Sequence, residues 1–200
     1  MRELRFWVFR HRGLIPIPFL LGVVLFGEPT YLEESFLDEL FDIVGVTIIV
    51  CGLALRAWAV GHAGSHTRSY KLRAPRLVTS GPYAYVRNPI YLGNLIIGLG
   101  IVILAESWVA LVMLLIVFSV EYGAIVSLEE EFLFKTFGER YEEYRRLVPR
   151  WVPRLTPVQI GVSDRFSWRA LRKEYLAALS ASLIAGIVEL AEELHRLVLR

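Results

Sequence analysis

The sequence predicts an all-α protein, a polytopic transmembrane helical bundle of four core spans with a fifth membrane or interfacial helix at its C-terminus. Three observations predict it. Of the 200 residues 55% are apolar and mean hydropathy is positive; the apolar residues gather into long runs; and the charges are confined to blocks between those runs. No stretch shows the pattern of a strand. One domain over 1–200 suffices, with a core at 40–155 and an appended helical segment at 165–200. The formal net charge of +2 is too small to mark a nucleic-acid partner.

A helix needs about 20 apolar residues to cross the hydrocarbon layer, and that length sets the spans. Leu14–Phe26 is short and interrupted by Pro16 and Pro18, so it crosses only with help from Arg10 to Gly13 and from Gly27. Proline and bulky residues follow it where a small-residue cleavage site would stand, so it is not a cleavable signal. Leu40–Val60 forms the second span. Cys51 is the single cysteine; it reads as a small buried hydrophobe and excludes a disulfide within the chain. Pro89–Leu104 and Trp108–Leu128 make the third and fourth spans, and the tight link Ala105-Glu106-Ser107 forces them into an antiparallel hairpin. The segment Arg165–Arg200 opens with FSWRALRKEY, whose Phe166, Trp168 and Tyr175 alternate with Arg169, Arg172 and Lys173 as in an interfacial helix. It then turns apolar over Tyr175–Leu190, either a fifth membrane helix or a return along the surface as Glu189, Glu192 and Glu193 suggest.

Orientation follows from the loops, because cytoplasmic sides collect Lys and Arg. The first twelve residues carry Arg2, Arg5, Arg10 and Arg12 against Glu3. The next loop holds Glu28, Glu33, Glu34, Asp38 and Glu39 with no base. The segment His62–Asn88 is basic again, through Arg68, Lys71, Arg73, Arg76 and Arg87. The tail after Leu128 carries ten Lys or Arg by Lys173. The N-terminus, the stretch GPYAYVRNPIYLG (81–93) and the charged tail therefore share the cytoplasmic side.

That stretch and the tail SLEEEFLFKTFGERYEEYRRLVPRWVPRL (127–155) carry the chemistry. On a helix Glu129 and Leu133, and likewise Tyr141 and Arg145, lie one turn apart, with Tyr144 close to Tyr141, so one surface presents carboxylates, phenols and guanidinium groups. Pro149 and Pro153 end helix formation, and Trp151 between them suits an interfacial anchor. Arg56 and Glu121 sit inside spans, where a charge costs about 2.5 to 3.5 kcal/mol unless paired or solvated. They lie at similar depth and form a candidate pair. Gly98 and Gly100 suit close helix packing better than phosphate binding. His62 and His66 have the spacing of a helical metal pair, but Gly61 and Gly64 oppose a helix there and no third ligand stands out, so no metal site is expected.

LVTSGPYAYVRNPIYLG, a hairpin of two spans, and LEEEFLFKTFGERYEEYRRLVP together resemble the membrane methyltransferases grouped with isoprenylcysteine carboxyl methyltransferase and the phospholipid N-methyltransferases. The resemblance runs from Leu77 to Pro153. That family's motifs Arg-His-Pro-x-Tyr-x-Gly and Glu-Glu-x-x-Leu match Arg87-Asn88-Pro89-Ile90-Tyr91-Leu92-Gly93 and Glu129-Glu130-Glu131-Phe132-Leu133. The resemblance implies a pocket for S-adenosylmethionine at the cytoplasmic face and methyl transfer to a hydrophobic or lipid-borne acceptor, with the lipid bilayer as partner and neither nucleic acid nor metal.

Asn88 replaces the family's usual His, which removes a titratable group and with it a general-base role at this position. Within the implied pocket Glu129 and Glu130 suit the ribose hydroxyls and ammonium, Arg87 the carboxylate, and Asn88 the amino-acid end. Tyr83, Tyr91, Tyr141 and Tyr144 suit the walls, and Gly93 leaves room for the ligand. Arg87, Glu130 and Glu121 are the candidate catalytic residues, Glu121, Glu130 or a tyrosine serving as base if the acceptor is an amine or thiol. A lipidic acceptor would enter sideways between the second and fourth spans. The competing readings are a non-catalytic membrane scaffold or lipid-binding protein with the same fold, and a small transporter using Arg56 and Glu121.

Overall fold

The computed structural model describes residues 2–11, 36–64, 74–160, 166–172 and 174–199, and among them there is no strand. The helices are α1 (Arg2–His11), α2 (Phe36–Ala63), α3 (Pro89–Leu104), α4 (Trp108–Phe137), α5 (Glu139–Leu147), α6 (Trp168–Leu171) and α7 (Tyr175–Leu199), with a 3-10 turn at Gly81–Ala84 before α3. The expected first span Leu14–Phe26 lies outside the described residues, as do the loop acids Glu28, Glu33 and Glu34, and His66.

Local chemistry sets the ends of the α3–α4 hairpin. Pro89 occupies the first turn of α3 behind Asn88, where its missing N–H costs nothing. Ser107 caps α4 by accepting from the Ala110 N–H at 3.3 Å, and Glu106, with φ 45°, takes the left-handed turn between the helices. Gly138, with φ 56°, stops α4. A helix of 30 residues is about 45 Å long at about 1.5 Å per residue, against roughly 30 Å of hydrocarbon. The C-terminal third of α4, with Glu129, Glu130 and Glu131, therefore projects beyond an apolar layer that begins near Trp108.

Glycines let α2 and α3 approach until backbone meets backbone. A Cβ on Gly100 would lie 2.7 Å from Gly45 O, and one on Gly52 would lie 2.9 Å from Gly93 O. Both pairs recur at a seven-residue interval, two turns along each antiparallel helix, which makes a small-residue seam of the membrane-helix kind. Gly98 admits Leu114 of α4 in the same way, its added Cβ meeting Leu114 Cδ1 at 2.7 Å. Ile49, Ile101, Leu104 and Leu114 then pack with Ala181 and Val188, which ties α7 to the hairpin.

The outer faces remain apolar and exposed, through Val46 and Val50 on α2, Ile116 and Val120 on α4, and Leu179 and Leu183 on α7. Residues 39–63 and 108–137 are each long and apolar enough to cross a membrane, yet only 33% and 28% of their apolar windows are buried. Neither is the core helix of a soluble bundle, and lipid is the solvent such surfaces fit. Cys51 corrects the sequence reading: it is exposed on α2. In a helix apolar all round, composition does not separate the lipid-facing side from the packed one.

Candidate active site

After α5 the chain returns along the segment that precedes α3. Arg87 N–H donates to Pro149 O at 2.9 Å, Arg154 N–H to Tyr85 O at 3.0 Å, and Val158 N–H to Ala84 O at 3.0 Å. Thr79 Oγ1 donates to Ile160 O at 2.7 Å and Asn88 Nδ2 to Arg150 O at 3.1 Å. These bonds hold residues 79–88 and 149–160 in fixed register, and they bring Arg87 and Arg150 to the same face of α4.

Glu130 is the meeting point. Arg87 Nη1 lies 3.0 Å from Glu130 Oε1. Arg150 donates from Nε to Oε1 at 3.1 Å and from Nη2 to Oε2, a two-pronged contact. The side chains of Arg87 and Glu130 are 11% and 10% exposed, so this pair is shielded from water, whereas Arg150 is 40% exposed. Two guanidinium groups on one carboxylate leave one positive charge in excess. Arg87 Nε and Nη1 are moreover buried without an aligned hydrogen-bond acceptor among the described residues, an arrangement that favours a further anionic group. Arg150 is a site residue the sequence reading missed; it stood between Pro149 and Trp151, in a stretch read only as a helix stop and an anchor.

The tyrosines surround this cluster. Tyr91 OH donates to Glu129 Oε1 at 2.7 Å, and Tyr144 OH donates to Tyr83 O at 2.9 Å. Tyr141 and Tyr144 are buried with Val148 under Leu133 and Phe137. Burial, with Glu130 adding to it and Arg87 opposing it, pushes the Tyr141 phenol up to about 12. Burial likewise raises Tyr83 and Tyr144, Glu129 contributing at Tyr83. All three are neutral hydroxyls at neutral pH, which argues against each of these three as the base.

Other assignments change. Gly93 does not leave room for a ligand: a Cβ there would meet Arg56 Cγ at 2.6 Å and Gly52 O at 3.0 Å, so α2 occupies the space. The amide of Asn88 is engaged with Arg150 O and serves the junction of the two segments. Arg56 pairs with Glu174, Nη2 to Oε2 at 3.2 Å, and donates to Asn94 Oδ1, where depth alone had offered Glu121 as a candidate partner. Glu121 is 2% exposed. It lines, with Arg56, a cavity of about 310 Å³ among α3, α4 and α7. Tyr122 joins the two regions, accepting from Asn94 Nδ2 at 2.8 Å while its ring lies 4.8 Å from that of Tyr91. Trp151 packs against Phe118 at 5.4 Å between ring centres, half-buried on α4. Among the described residues no three His, Cys, Asp or Glu gather as metal ligands.

Residues 40–140, half of the chain and the stretch from α2 to the start of α5, match the family described as phospholipid methyltransferase. The chain belongs to this family. It is 30% identical over 158 residues to the cobalt-zinc-cadmium resistance protein CzcN of Cupriavidus metallidurans, covering 78% of this chain and 69% of that one. It is 32% identical to the protein-S-isoprenylcysteine O-methyltransferase of Schizosaccharomyces pombe, over 60% of this chain and 52% of that one. To protein-S-isoprenylcysteine O-methyltransferase B of Arabidopsis thaliana it is 34% identical, over 54% and 57%. The chain thus spans little more than half the length of these two O-methyltransferases. No solved structure matches it.

Proposed function

We propose that the chain is an integral membrane methyltransferase that takes a methyl group from S-adenosylmethionine and passes it to a hydrophobic or lipid-borne carboxylate, amine or thiol at the cytoplasmic face. The observation that carries this reading is the Arg87–Glu130–Arg150 cluster, in which two guanidinium groups meet one carboxylate and buried Arg87 donors lack an aligned acceptor. That donor set fits the carboxylate of an amino-acid end. Arg87 and Arg150 would hold it, Glu129 and Glu130 the ammonium or ribose hydroxyls, and Tyr91, Tyr141 and Tyr144 the adenine or the sulfonium. When bound, the group supplies an electrophilic methyl on a positive sulfur.

The chain's own residues then position and exclude water, which is what an in-line displacement on an anionic acceptor chiefly needs. The register of 79–89 against 149–160 fixes Arg87 and Arg150 relative to α4. Neutral Tyr141 and Tyr144 keep the floor dry. The exposed apolar faces of α2, α4 and α7 support the reading of a membrane-embedded bundle of four core spans with the N-terminus and the cluster on the inner side. Asn88 has a structural bond of its own, so the loss of the family's His is no argument for an inactive scaffold.

The test is transfer of labelled methyl from S-adenosylmethionine to a total lipid extract by the purified full chain, with identification of the product. Label in a lipid or prenylated product, lost in Glu130→Gln, supports the reading. Label only in water-soluble thiols or amines contradicts the lipid acceptor, and no transfer together with no binding of S-adenosylhomocysteine contradicts the enzyme.

A further inference from the structure

The cavity among α3, α4 and α7 has a polar end and an apolar body. Arg56, Asn94, Glu121 and Tyr122 gather at one end, while Ile97, Ile101, Leu114, Val117 and Ile184 line the rest. Its volume of about 310 Å³ falls at the small end of ligand sites and corresponds to on the order of ten atoms the size of a water or a methylene. The space exists because of what α7 brings to it. Ala177, Ser180, Ala181 and Ile184 follow one another at helical spacing on the face turned to the cavity, and three of the four are small. α7 lies beyond the matched stretch 40–140.

Two features say what would fill it. The first is the packing of α7, which rests on α3 and to a lesser degree on α2, with no comparable contact to α4. The seam between α4 and α7 is thus the side from which a molecule dissolved in the bilayer reaches the cavity, past the exposed Leu179 and Leu183 of α7 and Ile116 and Val120 of α4. The second is charge. Arg56 is the cation of the lining, and its guanidinium is already held by Glu174 and by Asn94. An anionic head would meet no uncommitted cation among the described lining residues, and it would meet the carboxylate of Glu121. A protonated amine finds there a buried carboxylate and the rings of Tyr122 and Phe118, which lie 4.6 Å apart between centres.

We propose that this cavity is the chamber for an amphiphile with an amine head and a single hydrocarbon chain, that Glu121 and the Tyr122–Phe118 rings receive the head, and that α7 gauges the chain. Arg56 and Glu174 act as positioning residues, fixing the start of α7 against α2. The assignment of this occupant as the methyl acceptor rests on the proposed function; its binding does not. The chamber lies one aromatic layer, Tyr91–Tyr122 at 4.8 Å, from the carboxylate of Glu129.

The experiment is equilibrium binding of labelled decylamine and decanoate to the full chain in lipid nanodiscs, corrected with empty discs, with binding of S-adenosylhomocysteine measured on the same samples. Decylamine binds saturably at one site and at least tenfold more tightly than decanoate. Ala181→Trp, which fills the chamber, weakens decylamine at least tenfold while S-adenosylhomocysteine binds unchanged. Ile184→Ala, which lengthens it, shifts preference at least threefold from decylamine towards dodecylamine, and decides the matter should the tryptophan variant not fold. No saturable amine binding, equal binding of decanoate, or a chain-length preference unmoved by Ile184→Ala overturns the proposal. Saturable amine binding without any S-adenosylhomocysteine binding leaves the chamber standing and defeats the methyltransferase reading alone.

Discussion

Glu130→Gln keeps the shape of the central side chain and removes its charge, leaving Arg87 and Arg150 facing each other. The cost can be apportioned from exposure. Arg87 is 11% exposed, and stripping the partner from so buried a charge costs about 3 to 5 kcal/mol. Arg150, 40% exposed, is screened by water and adds no more than about 1 kcal/mol. For a chain of this length each kcal/mol moves the unfolding midpoint by about 2 to 4 °C, so Glu130→Gln should lower it by roughly 6 to 24 °C. Arg87→Gln in the same background should recover much of that loss, because a neutral amide pair replaces an orphaned charge, giving a coupling energy of about 1.5 to 3 kcal/mol in a double-mutant cycle. Thermal unfolding in detergent, followed by circular dichroism, reads all four proteins. A midpoint within about 2 °C of wild type for Glu130→Gln, or additive single effects, would refute the buried-pair reasoning.

The glycine seam predicts opposite outcomes at two helical glycines. Gly100→Ala drives a Cβ to 2.7 Å from Gly45 O and should cost about 1 to 3 kcal/mol in the same melts, while Gly123→Ala, which meets nothing within 4 Å, should be neutral or stabilise by up to about 1 kcal/mol. Tyr141 predicts an alkaline limit. Its phenol is raised from 10.0 to about 12, so the folded state holds its proton where the unfolded chain has lost it; that stabilisation is complete below pH 10 and disappears as pH rises towards about 12. Tyr141→Phe should therefore show a flatter fall in melting temperature across that window than wild type, and parallel curves would count against the assignment.

The parts of this fold most legible in the sequence were those set by neighbours in the chain. Run length placed the apolar helices α2, α3 and α4, Pro89 and Ser107 set the hairpin's helix starts, and Gly138 the end of α4. The resemblance gave Arg87 and Glu130 to different ends of one ligand, whereas the structure pairs them directly at 3.0 Å. Arg150 was not legible, because its bond to Glu130 follows from the return of the chain across 79–89, which is made by backbone hydrogen bonds that carry no residue signature. The partner of Arg56 was missed for a related reason: Glu174 lies 118 positions away, in a segment outside the resemblance, and depth alone offered Glu121. Gly93 shows that a glycine within a motif does not announce whether ligand or helix will use its space. Cys51 shows that an apolar run does not announce which face meets lipid.

Two arginines holding the carboxylate of a methyl donor's amino-acid end are the centre of the proposed function, and titration calorimetry of the full chain with S-adenosylhomocysteine and with methylthioadenosine, which lacks that end, tests it most directly. S-adenosylhomocysteine should bind at least a hundredfold more tightly than methylthioadenosine, and the gap should shrink below tenfold in Arg150→Ala. Equal affinities for the two compounds in the wild-type chain, or a gap that Arg150→Ala leaves intact, would contradict it.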